Sequence, residues 1–198
     1  MDYPAKLSFK HQASSSRLWA LLTIIPLKVL LLIPHFIVLA VVYVIAAVCA
    51  VLGILGVLFY GEYPKWCEKW VVGFMRWQWR LQAFVSCFTD QYPPFELEAK
   101  GYPAEMSLKH EKENSRLWAL LTIIPVKFVI IIPQMVVLFV LQIVAAILTL
   151  LGMIATVFVG QFPKNFEGFI VKAYAYQWRL NAYILCLTKE YPPLGLED

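Results

Sequence analysis

Few residues in this chain are of a type that carries chemistry: four cysteines, three histidines, and two lysines set inside apolar sequence. Cysteine and histidine ligate metals when several fall at ligand spacing. Cys49, Cys67, Cys87 and Cys186 form no C-x-x-C pair, so they read as free, buried thiols and no metal site is expected. His11 and His110 lie in polar segments, where a solvated surface role is expected. His35 has Gln134 at the matching place in the second half of the chain, which suits a hydrogen-bonding residue better than a ligand. No H-E-x-x-H, Gly-rich phosphate loop or nucleophile elbow is present. The chain therefore reads as non-enzymatic, with no catalytic residue and no cofactor.

What remains is the recognition of anions by basic side chains. Lys28 and Lys127 are the only charges inside the apolar runs 18–60 and 117–159. Lys28 follows Arg17 by three helical turns, and Lys127 follows Arg116 in the same way, so each pair shares a helix face. Such a pair can hold a lipid phosphate, or both stems can snorkel to headgroups. The runs contain no Asp or Glu. An ion-coupled transporter usually keeps a carboxylate at membrane depth, so their absence argues against one.

Composition sets the surroundings of these groups. Of 198 residues, 61% are hydrophobic and only 15% charged, against about 25% charged in an average soluble domain. Mean hydropathy is +0.68. A soluble globule of this size could not hide so much apolar surface, so an integral membrane protein is expected. The net charge of +4 is too mild for a nucleic-acid partner and fits contact with an anionic leaflet.

The chain is one unit written twice. Leu18-Trp19-Ala20-Leu21-Leu22-Thr23-Ile24-Ile25-Pro26 returns as 117–125, Gln78-Trp79-Arg80 as Gln177-Trp178-Arg179, and Tyr92-Pro93-Pro94 as Tyr191-Pro192-Pro193. At this ungapped offset about 45 of 99 aligned positions are identical, so the chain divides into repeats 1–99 and 100–198 with a joint near Ala99.

Each repeat has three parts. A polar lead alternates like a short strand over 5–10 and 104–109, and the two leads are able to pair. An apolar run of 43 residues follows, too long for one straight crossing. It is either a hairpin of two arms or a kinked helix, with 15–33 at the interface and 35–60 crossing once. Pro26, Lys28, Pro34 and His35 favour the kink. Basic residues at both ends of each run favour the hairpin and place 1–16, 61–66, 89–116 and 186–198 on the cytoplasmic side. Third comes an aromatic-rich amphipathic helix over 64–88 and 163–187. Trp66, Trp70, Phe74, Trp77, Leu81, Phe84 and Phe88 recur at spacings of three and four. Lys65, Lys69, Arg76 and Arg80 form a second stripe.

That pattern suits an interfacial helix, its aromatics in the acyl boundary and its basic groups at headgroups. The other reading packs the helix across a bundle, with its arginines on carbonyls or carboxylates. Lipid-contacting residues are accordingly expected at Arg17, Lys28, Lys65, Lys69, Arg76, Arg80, Arg116, Lys127, Lys164 and Arg179. Aromatic anchors are expected at Trp19, Trp66, Trp70, Trp77, Trp79, Trp118 and Trp178. Arg80 and Arg179, retained in both copies, are expected to pin their helices to a lipid phosphate, to the lead or to the Tyr-Pro-Pro tail.

Ile33-Pro34-His35, Gly61-x-Tyr63-Pro64, Arg76-Trp77-x-x-Arg80 and Thr89-Asp90-x-Tyr92-Pro93-Pro94-Phe95 together resemble bacterial membrane proteins of the domain-of-unknown-function 4389 family. The second copy departs at Gln134 and Ala175-Tyr176, and its tail lacks the Asp and Phe. The resemblance implies a bacterial membrane protein and supplies no activity; the basic flanks add the expectation of a multi-pass inner-membrane protein with cytoplasmic termini. The expected function is a lipid-interacting scaffold or an accessory subunit of a larger membrane complex or homo-oligomer, with anionic lipids as partners. The alternative is a small transporter or channel between the repeats.

Overall fold

The computed structural model describes residues 3–12, 14–24, 27–98, 101–193 and 195. Pro26 and the joint at Ala99 lie outside the described residues.

Each lead forms a short strand: β1 (Ala5–Phe9) and, in the second repeat, β2 (Ala104–Leu108). The two pair antiparallel, with Ala5 opposite Leu108 and Leu7 opposite Met106. Ala5, Ala104 and Met106 are buried, while Lys6, Ser8, Glu105 and Ser107 are exposed, as period-two alternation requires.

The first apolar run folds as α1 (Arg17–Ile24), α2 (Leu27–Leu30) and α3 (Ile33–Tyr60), followed by the aromatic helix α4 (Lys65–Val85). The second repeat gives α5 (Arg116–Ile123), α6 (Val126–Ile130), α7 (Ile132–Val159) and α8 (Lys164–Ile184). Pro34 sits in the first turn of α3, where its missing N–H leaves no helical bond unmade. Gly61 ends α3 at φ 78° and Gly160 ends α7 at φ 80°, a left-handed conformation that glycine adopts without a side-chain clash.

The hairpin in each repeat therefore differs from the expected one. The apolar run does not fold on itself as two equal arms. It is a kinked chain ending in one 28-residue helix, and the aromatic helix turns back along it. Tyr43 meets Phe74 at 5.5 Å, and His35 meets Trp77 at 5.8 Å. The sharp turn falls at Gly61, where the backbone permits it.

The repeats are interleaved. Ser15 N–H bonds to Gly160 O at 2.9 Å, and Asn114 N–H to Gly61 O at 2.8 Å, so each lead docks on the turn of the other repeat. α1 packs on α7 and α5 on α3. Trp79 meets Tyr174 at 5.6 Å in mid-helix. Phe88, just past α4, meets Phe162, just before α8, at 4.9 Å. The end of α4 thus lies beside the start of α8, and these two helices run antiparallel. Since α3 is antiparallel to α4 and α7 to α8, α3 and α7 also point in opposite directions.

Candidate functional site

The C-terminal ends of α4 and α8 carry the same buried cluster twice. Cys87 and Cys186 hold left-handed φ angles of 61° and 57°. The next residue folds back: Phe88 N–H reaches Ala83 O at 3.0 Å, and Leu187 N–H reaches Ala182 O at 2.9 Å. Glycine is the usual residue at such a helix end. Here a cysteine occupies it in both copies, with its side chain turned inward. Cys87 Sγ lies 3.2 Å from Thr23 Oγ1 and 3.8 Å from Lys28 Nζ. Cys186 Sγ lies 3.4 Å from both Thr122 Oγ1 and Lys127 Nζ. Burial pushes the Cys87 thiol up, away from the reactive thiolate.

Both lysines are fully buried. Lys28 Nζ donates to Phe84 O and sits 4.0 Å from the Phe84 ring centroid. Lys127 Nζ donates to Tyr183 O, 4.1 Å from that ring. A cation at a helix C-terminus is favoured by the dipole and by the spare lone pairs of the terminal carbonyls. This corrects both expectations for Lys28 and Lys127: they neither hold a lipid phosphate nor snorkel. Trp19 and Trp118 are half-buried and pack edge-on against Phe84 and Tyr183, so they close this cluster instead of anchoring an interface.

Most tryptophans of the aromatic helices are covered by the chain itself. Trp77, Trp79 and Trp178 are buried, Trp70 packs on the core, and only Trp66 among the α4 tryptophans stands out at 58% exposure. Arg76 Nε donates to Met106 O at 2.7 Å, and buried Arg80 Nη2 donates to Leu97 O at 3.1 Å. Arg179 is buried with its guanidinium 5.8 Å from the Tyr3 ring. Of the partners expected for Arg80 and Arg179, the chain's own segments are used, the tail for one and the lead for the other. A guanidinium in an interior must be satisfied by nearby carbonyls or rings, and the ribbon and tail supply them. Arg17, Lys65, Lys69, Arg116 and Lys164 remain exposed; of these, Lys69 pairs with Glu98 at 3.6 Å.

Two groups escaped the sequence reading. His11 and His110 are not merely solvated. His11 Nδ1 meets Glu167 Oε2 at 2.8 Å, and His110 Nδ1 meets Glu68, with Glu62 3.2 Å from its Nε2. Each histidine of a lead clasps the aromatic helix of the other repeat. The Glu68 hydrogen bond holds the His110 imidazole above its ordinary range. Burial raises the Glu167 carboxyl, although His11 and Lys164 oppose this. The retention of both His and Glu at the repeat offset was the available signal. The other group surrounds His35. Trp77 Nε1 can only donate, so His35 Nδ1 accepts its bond at 3.0 Å and the ring proton is on Nε2. Phe95 stacks on the imidazole at 3.8 Å. In the second copy Tyr176 donates to Gln134 in the same arrangement, and Gln134 Nε2 donates to Pro192 O.

α3 and α7 present apolar surfaces. Neither α3 nor α7 contains a charged residue, and both are long and apolar enough to cross a membrane. Ile37, Val44 and Val51 on α3 are 65%, 61% and 59% exposed.

The fold thus defines a tandem pair of helical units, each an apolar helix with an aromatic helix returned along it. Residues 24–96 and 123–194 match the family model of a domain of unknown function, DUF4389, and the chain belongs to that family. No curated protein and no solved structure matches it.

Proposed function

We propose that this is a non-enzymatic membrane protein, a lipid-interacting scaffold or accessory subunit whose α3 and α7 are covered by acyl chains. One observation carries the reading: two uncharged 28-residue helices expose large aliphatic side chains over most of their length. Monomeric soluble proteins rarely show a continuous apolar patch beyond a few hundred Å². Exposed Arg17, Lys65, Arg116 and Lys164 lie at the ends of these helices, where they suit anionic headgroups.

Little supports a channel between the repeats. Lys28 and Lys127 are committed to helix-end carbonyls, Gln142 bonds Gln177 at 3.1 Å, and the Thr23, Thr122 and Thr149 hydroxyls bond carbonyls four residues back. Flotation of the full chain with vesicles tests the proposal. It should float with neutral vesicles and more completely with anionic ones. A chain that stays dispersed without detergent and never floats overturns it.

A further inference from the structure

The ribbon and the apolar helices are related in a way that decides how the protein meets a bilayer. Leu7 and Met106 are repeat equivalents and face each other at the middle of the ladder. A pseudo-two-fold axis therefore passes between them, normal to the ribbon. The ribbon lies over the middle of α4 and α8: Met106 O accepts from Arg76, and Ser8 O accepts from Trp79 at 3.4 Å. Helices related by this axis and running antiparallel lie across it. α3 and α7, antiparallel to their partners α4 and α8, lie across it too.

Two orientations can be weighed. If α3 and α7 stood upright, the axis would lie in the bilayer plane and the ribbon would sit at half depth. Exposed Lys6, Ser8, Glu105 and Ser107 would face lipid, and the two outer ribbon edges would leave backbone groups with no water to bond. The helices are also about 42 Å long, against a hydrocarbon core of about 30 Å. If α3 and α7 lie flat, none of these conflicts arises. A helix about 10 Å across fits within one leaflet's share of the core, about 15 Å. The ribbon then faces water. The face of α4 turned away from the ribbon, with Phe74 and Val85, joins Phe36 and Tyr43 of α3 in an apolar groove of about 600 Å³, open to the same acyl layer.

Resting on the membrane reading above, we infer that α3 and α7 lie flat and antiparallel in a single leaflet. The two-fold axis stands along the membrane normal, and the ribbon stays on the aqueous side. The occupant of the exposed apolar face is the acyl layer of that leaflet. The protein is then a one-sided wedge and crosses nothing.

Site-directed labelling of the full chain tests this. Nitroxides placed by Ile37→Cys, Val44→Cys and Val51→Cys lie on one face of α3 at seven-residue steps, and the native cysteines are buried. In vesicles, oxygen and nickel accessibility should report the same depth at all three, within a few Å. Depths that change by about 10 Å per step would show an upright helix and overturn the inference. Independently, Lys65→Cys and Lys164→Cys should both react with an impermeant maleimide from the side on which Ser107→Cys reacts. Labelling of Lys65→Cys and Lys164→Cys from opposite sides overturns it as well. If the chain does not float with vesicles, the membrane reading itself fails. A soluble dimer in that case identifies a second copy as the occupant.

Discussion

Leu7 lies directly opposite Met106 across the ribbon, its own counterpart in the second repeat. A duplicated chain can place its copies side by side or cross them. This pairing shows that they are crossed, with each lead reaching over to the other copy's helices. The consequences can be tested copy against copy, since each site has an internal control.

The His–Glu clasps make stability depend on pH. The folded His110 pKa is raised above its ordinary 6.5 by Glu68. Folding then binds a proton more tightly, so the contribution is complete below about pH 6.5 and fades as pH rises through the folded value. Glu167 is raised for a different reason, burial, and acts with the same sign from its ordinary value of 4.5 upward. The melting temperature of the solubilised protein should fall as pH rises above 6.5. His110→Gln should flatten that slope.

Lys28 should behave as a core residue. Lys28→Met keeps the volume and removes a buried charge held by a helix-end carbonyl and two rings, so it should cost less than about 1 kcal/mol. Lys28→Ala leaves a cavity and should cost about 2–5 kcal/mol in chemical or thermal unfolding. Neither change should alter the preference for anionic vesicles. A matching loss of anionic binding in both would return Lys28 to the headgroups.

Two glycine substitutions should have opposite signs. A Cβ on Gly53 would run into the buried Tyr63 ring. Gly53→Ala should therefore destabilise by about 1–3 kcal/mol, despite the helix propensity gained. Gly168 in α8 meets nothing within 4 Å, so Gly168→Ala should stabilise by about 0.5–1 kcal/mol. Unfolding of the two single variants in the same detergent decides it.

His35 should accept its counterpart's identity. Gln134 takes the bond from Tyr176 that His35 takes from Trp77. His35→Gln should cost less than about 1.5 kcal/mol, and His35→Gln with Trp77→Tyr should cost less than the sum of the two singles. An additive double-mutant cycle would mean the pair is not coupled.

Much of the fold was legible along the chain. Strand alternation from Ala5 and from Ala104 is a local pattern, and both strands form there. Gly61 and Gly160, equivalent at the repeat offset, both end their helices in a left-handed backbone. The aromatic stripe Trp70, Phe74, Trp77, Leu81 was correct as a face, and Trp77 and Leu81 on it are buried against the chain's own core. Period identifies which side of a helix is apolar, but not whether lipid or another helix covers it.

The sequence by itself determined the duplication, the charge-free helices α3 and α7, the free thiols and the family. These depend on spacing and composition, which tertiary contacts cannot change. Tertiary structure alone decided what the basic residues do. Lys28 and Phe84 are 56 residues apart, and His11 and Glu167 are 156 apart. No local pattern encodes such a meeting. A lysine in apolar sequence must find an acceptor or reach water, and the returning end of α4 brought the acceptor to Lys28. The crossing of the leads likewise depends on which edge each strand finds, and that is settled only when Leu7 and Met106 come together.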